Sequence, residues 1–163
     1  MPPFVIYPHP ALTRVASPRP VDSDMLAAGA ALLRAAEDVQ AHGLAAAHLG
    51  LDEPLIVLNV ATDRNQRDYR VLFNPRVSEL ADEVIQGPEG SVSMPGIEVP
   101  VERAIWAVVE YDTAEGIGQT SRFEGFTARV AQHEIDQMNG VFFLERLSRV
   151  KRDMALRKFR KRQ

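Results

Sequence analysis

The sequence predicts an α+β fold in which helices pack on mixed or antiparallel sheets. Two observations point to it. Short β-branched and aromatic runs such as LIVLNV (55–60) and IWAVVEY (105–111) are bounded by turn residues, as buried strands are. On either side lie segments with helical spacing, at 24–41, 126–139 and the C-terminal end.

Residues 1–20 are punctuated by proline and are expected to run along the surface. Asp22 or Ser23 is placed to cap a helix over 24–41, where alanines favour helix and Leu26, Leu33 and Ala36 fall near helical spacing. In GLAAAHLG (43–50), Gly43 supplies a permissive turn, and the small residues let another element approach closely. LIVLNV reads as a buried strand. A charged loop from Asp63 to Asp68 leads to a second strand, Arg70–Asn74, expected to stop at Pro75, and Val77–Ile85 is a candidate extension of the sheet. EGSVSMPG (89–96) reads as irregular. IWAVVEY is a strand, Gly116 and Gly118 mark a turn, and Gln119–Phe123 returns as its partner. FTARVAQHEIDQMN (126–139) is a helix with Gly140 at its left-handed cap, and residues 146–163 form a second, basic helix. No repeat, low-complexity tract or boundary divides the chain, so one domain over 1–163 is expected.

With 45% apolar residues, 163 residues suffice to bury a core without staples. The chain has no cysteine, which excludes disulfides, thiolate metal sites and a Cys nucleophile. No basic stretch followed by an apolar core opens it, and no run approaches the ~18 apolar residues of a membrane span. A cytoplasmic protein without a membrane partner is expected. Charge is uneven: residues 146–163 hold nine of the 19 Lys/Arg and one of the 22 Asp/Glu, leaving ten cations and 21 anions in the body. A basic tail on an acidic body suits a polyanionic partner. Phe159 is its lone aromatic, so base stacking and sequence-specific nucleic-acid reading are not indicated.

His133-Glu134-Ile135-Asp136-Gln137 carries the chemistry. On a helix, residues i and i+4 share a face, so two His at that spacing clip a metal and an adjacent Glu serves as general base. Here the second position is Gln137, a poor ligand for zinc or iron. By itself H-E-x-x-Q is a weak signal, and a lone His–Glu pair on a helix is ordinarily structural.

Three segments read together are stronger. GLAAAHLG, EGSVSMP (89–95) and HEIDQ resemble, in order and spacing, the three motifs of peptide deformylases: G-h-G-h-A-A-x-Q, E-G-C-h-S and H-E-x-D-H, with h apolar. HPALTRVASPRPV, the strands around LIVLNV and VLFNPRV, and MNGVFFLERL are also similar to the family, so the resemblance covers essentially the whole chain. It implies a deformylase fold around a central helix carrying HEIDQ. It also implies removal of N-formyl groups from nascent polypeptides during protein maturation, by a divalent metal (iron, zinc or nickel) held by the motif Cys and two His.

Carried over by position, the resemblance makes His133 a metal ligand and Glu134 the general acid/base. Gly43, Leu44, Ala45 and Ala46 keep the pocket strand, although Ala41 replaces the first glycine. Glu89, Gly90 and Ser93 keep the second motif. Three departures fall in the site: Ser91 at the Cys ligand, Gln137 at the second His ligand and His48 at the oxyanion Gln. Ala47 fills the variable position. Losing a group that merely orients a ligand costs about 10–100-fold in metal affinity, so these changes imply a weakly held metal or none, and weak or absent deformylase activity.

Two alternatives remain. His48 and His133 with Glu134 or Glu89 make an N₂O ligand set acceptable to zinc, hence a metal-dependent amide hydrolase. Ser91–His133–Glu134 makes a Ser hydrolase, disfavoured because Glu134 neighbours His133 on the helix. The resemblance further implies a methionine pocket, for which Val130, Phe126 and Ile85 are candidate walls, with N-formyl-methionyl peptides as ligands. It also implies docking of the basic C-terminal helix on the ribosome, which is compatible with a non-catalytic nascent-chain role.

Overall fold

The computed structural model describes residues 3–163; Met1 and Pro2, the start of the proline-punctuated segment, lie outside the described residues. That segment is not wholly superficial. A 3₁₀ turn at Pro10–Thr13 buries Ala11 and Leu12, and Ala16 enters the core.

Helix α1 (Ser23–Val39) begins where the Asp22 carboxylate accepts the Met25 N–H at 2.9 Å, satisfying an orphan donor of the first turn. Its buried stripe is Met25, Ala28, Leu32, Ala35 and Ala36, displaced from the expected one: Leu26 is exposed and Leu33 half-buried. The segments β1 (Gly43–Ala45), β2 (Leu55–Asn59), β3 (Tyr69–Leu80), β6 (Trp106–Asp112) and β7 (Gly118–Glu124) pair antiparallel in the order β1-β2-β3-β6-β7. All five residues of β2 are buried, because both faces of the sheet are covered. Helix α1 covers one face, and α2 (Gly125–Met138) the other through Ala128, Ala131 and Ile135.

Strand β3 does not stop at Pro75. The ladder shifts register between Phe73 and Arg76, and this bulge accommodates a residue that cannot donate. Asn74 stands there at φ 50°, its side-chain amide donating to the Arg19 carbonyl (2.7 Å) and to Asp112 (3.0 Å). Nor is EGSVSMPG irregular. Strands β4 (Val84–Ser91) and β5 (Met94–Ala104) form a separate two-stranded arm, with Val92 and Ser93 as its turn. Gly and Pro spell a loop locally, but Pro88 and Pro100 lie opposite one another in a sheet with no third strand, where missing donors cost no ladder bond.

Helix α2 ends in the expected cap. Gly140, at φ 77°, donates to the Gln137 carbonyl and Val141 to that of Asp136. Residues Phe143–Arg146 form their own 3₁₀ turn, so α3 (Arg149–Arg162) starts later than residue 146, at a Ser148 cap. Ala155 and Phe159 seat α3 in a cluster with Met94, Val101 and Phe142, leaving most of its cations exposed. No helix among the described residues is long and apolar enough to cross a membrane.

Candidate active site

The site forms where β1, the β4–β5 arm and α2 meet. Gly43 allows this meeting, though not as a turn. It lies within β1, and a Cβ there would stand 2.6 Å from a Val130 methyl and 3.1 Å from the Glu134 side chain. The missing side chain is what lets α2 lie against the strand. After β1 the chain tightens into a 3₁₀ turn, Ala46–Leu49, carrying His48 inward to 1% exposure.

The His48 Nδ1 accepts the Ala45 N–H at 3.0 Å. Burial, then the nearby His133, pushes its pKa down to about 3, so the ring is neutral with its proton on Nε2. That Nε2 is buried without a partner. Beside it, the buried Glu134 carboxyl has its pKa raised to about 7, chiefly by desolvation and further by Glu89, against the opposing effect of His133. Its Oε1 lies 3.8 Å from the His48 Nδ1, beyond hydrogen-bond reach, and is also unpartnered.

One residue away on the same helix the situation reverses. His133 donates through Nδ1 to Glu89 at 2.7 Å. Burial works against its protonation, but Glu134 and Glu89 outweigh it and hold the pKa above the usual imidazole value. Glu89 in turn takes a two-pronged contact from Arg103 (2.8 and 2.9 Å) and one from Arg129 (2.8 Å). Burial disfavours its charge, yet Arg103 and His133 prevail and bring it down to about 2. Arg103 also bonds Asp136 at 2.6 Å, and Asp136 is gripped by Arg146. The ring of His133 is therefore oriented by Glu89 and not by Glu134, as the Ser91–His133–Glu134 arrangement would require.

Neither Arg103 nor Arg129 was singled out from sequence. Arg129 donates to the carbonyls of Ile85 (2.7 Å) and Val101 (2.7 Å) as well as to Glu89. A Cβ at residue 87 would lie 3.0 Å from its guanidinium, so Gly87 makes its berth. The only local hint is that a long cation sits among the small and apolar residues of α2; its partners are 28 to 44 residues away.

Gly43, His48, Glu89, Ser91, His133 and Glu134 line one cavity of about 490 Å³, together with Val130 and Phe126. Ser91 closes β4, its Oγ accepting the Ser93 N–H at 3.1 Å. Gln137 does not line the cavity. It sits one turn beyond His133 as the spacing requires, but its amide donates to the Leu12 carbonyl at 2.7 Å, at 1% exposure. Ile85 is not a wall either: its side chain is 59% exposed, and its carbonyl is what meets Arg129. No group of three or more His, Asp or Glu side chains among the described residues is arranged to hold a metal ion. A larger groove of about 820 Å³, lined by Arg76, Glu110, Asp136 and Arg146, holds none of His48, Ser91, His133 or Glu134.

This architecture is that of peptide deformylases: the structure superposes on that of the Ehrlichia chaffeensis peptide deformylase with a TM-score of 0.87, at 27% identity, covering 98% of this chain and 94% of that one. Residues 1–153 match the family described as polypeptide deformylase. A Rhizobium meliloti (strain 1021) protein named peptide deformylase is 36% identical over 98% of this chain and 92% of its own length. An Agrobacterium fabrum (strain C58) protein named peptide deformylase-like is also 36% identical, over 98% and 95%. The chain belongs to the polypeptide deformylase family.

Proposed function

We propose that this chain keeps the family's pocket for formylated N-termini but has lost most or all of the metal-dependent step, working in the cytoplasm as a weak deformylase or as a binder of nascent chains. The observation that carries the reading is the fate of Gln137. At the position where the family motif places a second His ligand stands a neutral amide already spent on the Leu12 carbonyl. Ser91, at the Cys position, offers an un-ionised hydroxyl. His133 alone remains of the three donors, and these residues do not fit a tightly held divalent ion.

Groups able to face a ligand are present, one of them a replacement. Because the His48 Nδ1 accepts from Ala45, its Nε2 presents an N–H, the same kind of group that the family's Gln supplies to the carbonyl oxygen. Glu134 is poised to take or give a proton near neutral pH. Phe126, Val130 and Leu44 give the cavity an apolar wall for a side chain.

Metal analysis of untagged, anaerobically purified protein tests the reading, combined with formate release from a formyl-methionyl peptide and calorimetric binding of that peptide. Expected are substoichiometric metal, little or no formate and measurable binding. The pair S91C and Q137H should restore metal binding and formate release together. Stoichiometric metal in the unaltered protein would sink the proposal. It would favour a second reading, an amide hydrolase with a site re-formed from His48 and His133, to which the unpartnered His48 Nε2 and Glu134 Oε1 lend support. That site requires His48 to surrender its bond from Ala45, because a ring nitrogen that carries a proton cannot ligate.

The exposed cations of α3 support a ribosome contact. Co-sedimentation with ribosomes should weaken with salt and be lost on reversing Lys158 and Lys161 to Glu; salt-independent sedimentation would argue against it.

A further inference from the structure

A cation stands at the end of the cavity where the family resemblance implies methionine. Arg64, on the loop between β2 and β3, lays its guanidinium 3.8 Å from the centre of the Phe126 ring and lines the same cavity as His48 and Glu134. His42 meets that ring edge-on at 4.8 Å. Arg64 takes part in none of the ion pairs among the described residues, and its side chain in none of their hydrogen bonds. Its neighbour Arg67 differs, being tied to the carbonyls of Gln40, Arg64 and Gln66. The aromatic face holds Arg64 in place while leaving its outer donors free.

The cavity is thus polar at both ends. Phe126 and Glu134 lie eight residues apart on α2, about 12 Å along its axis, with Val130 between them. At the inner end, two side chains at least nine-tenths buried present unpartnered polar atoms, the His48 Nε2 and the Glu134 Oε1. They match an amide, which accepts from one and can bond the other. Between the ends, Val130 and Leu44 are apolar, and Arg129, which also lines the cavity, has its donors committed to Glu89 and to the carbonyls of Val101 and Ile85. Glu98 on β5 also lines the cavity without an ion pair, so an anionic ligand end is repelled from the arm and directed to Arg64.

We infer that, among N-acylated terminal residues, the cavity favours a side chain ending in a carboxylate over its neutral amide, with Arg64 over Phe126 as the selecting residue. The inference rests on the pocket reading proposed above. It makes Arg64 a specificity residue that touches the far end of the ligand and takes no part in proton transfer.

Calorimetric titration of the full chain with three C-terminally amidated peptides, beginning N-formyl-Glu, N-formyl-Gln and N-formyl-Met, tests it without relying on turnover. The Glu peptide should bind on the order of tenfold tighter than the Gln peptide at low salt, as for one charge-assisted hydrogen bond. The gap should shrink as salt is raised. Arg64→Gln should bring the Glu and Gln peptides to the same affinity. The side chain is exposed, so folding should be unaffected, as circular dichroism would verify. Equal affinities in the unaltered protein, or a preference that survives Arg64→Gln, would overturn the inference while leaving the pocket reading in place. If none of the three peptides binds, the pocket reading itself fails and takes the inference with it.

Discussion

Two groups of buried polar side chains lie side by side on α2 and have opposite characters. Around Glu89 every charge has a partner: Arg103, Arg129 and His133 converge on one carboxylate, and Asp136 extends the chain of contacts to Arg146 at the surface. Around His48 and Glu134 the reverse holds, with two buried polar atoms and no bond between them. The first cluster holds the arm to the helix with its carboxylate fully engaged, and only the second ring nitrogen of His133 is left for a ligand in the cavity. An unsaturated cluster bears a desolvation cost that a bound group can relieve. Adjacent residues, His133 and Glu134, thus belong one to a satisfied network and the other to an unsatisfied pair, although both line the cavity.

Substitutions should expose that line, with effects falling from the first cluster to its rim. Glu89→Gln should destabilise by about 3–5 kcal/mol in chemical denaturation, since it removes the one carboxylate paired with Arg129 and one of the two paired with Arg103; a loss below 1 kcal/mol would mean the cluster is not what holds the arm. His48→Gln should act in acid. The His48 pKa is near 3 in the folded chain against 6.5 unfolded, so the unfolded state binds its proton first and stability is lost as pH falls from about 6.5 toward 3. Removing the ring should leave the variant more stable than the parent at pH 4.5 by roughly 2–3 kcal/mol, with no gain at pH 8. Glu134→Gln should do the opposite. With its folded pKa raised from 4.5 to about 7, the carboxyl costs stability as pH rises through that interval. The variant should gain about 3 kcal/mol at pH 8 and little at pH 4; a loss at pH 8 would show that the ionised carboxylate has a partner. Arg146→Ala should cost only ~0.5–1 kcal/mol, because that side chain is 49% exposed and its contact with Asp136 is screened.

Sequence alone conveyed the three helices, most of the sheet and several residues that line one cavity, for reasons visible in particular residues. Asp22, Ser148 and Gly140 are caps whose chemistry is local, and β2 is a run of apolar residues that only a buried strand explains. The arm is not legible locally because Gly90, Pro95 and Gly96 advertise a loop, whereas the pairing that makes β4 and β5 a sheet is set by partners further along the chain. Strand β3 was cut at Pro75 because its bulge depends on Asn74 bonding Arg19 and Asp112. In the site, the motifs placed His48, Ser91, His133 and Glu134 around one space. They also placed Gln137 there, and only the tertiary structure reveals its attachment to Leu12, 125 residues earlier. The Glu89 cluster was invisible for the same reason: nothing near Arg103 or Arg129 in the chain announces a carboxylate.

The fit of Arg129 into the space left by Gly87 has a consequence for how this sequence can change. A side chain restored at 87 meets the guanidinium at 3.0 Å while Arg129 is present, yet would be accommodated once a smaller residue stood at 129. The two sites therefore form a coupled pair. On a path leading away from this sequence, a smaller residue at 129 makes room for a side chain at 87. A randomised library at the two codons should accordingly recover bulk at one or the other but seldom at both.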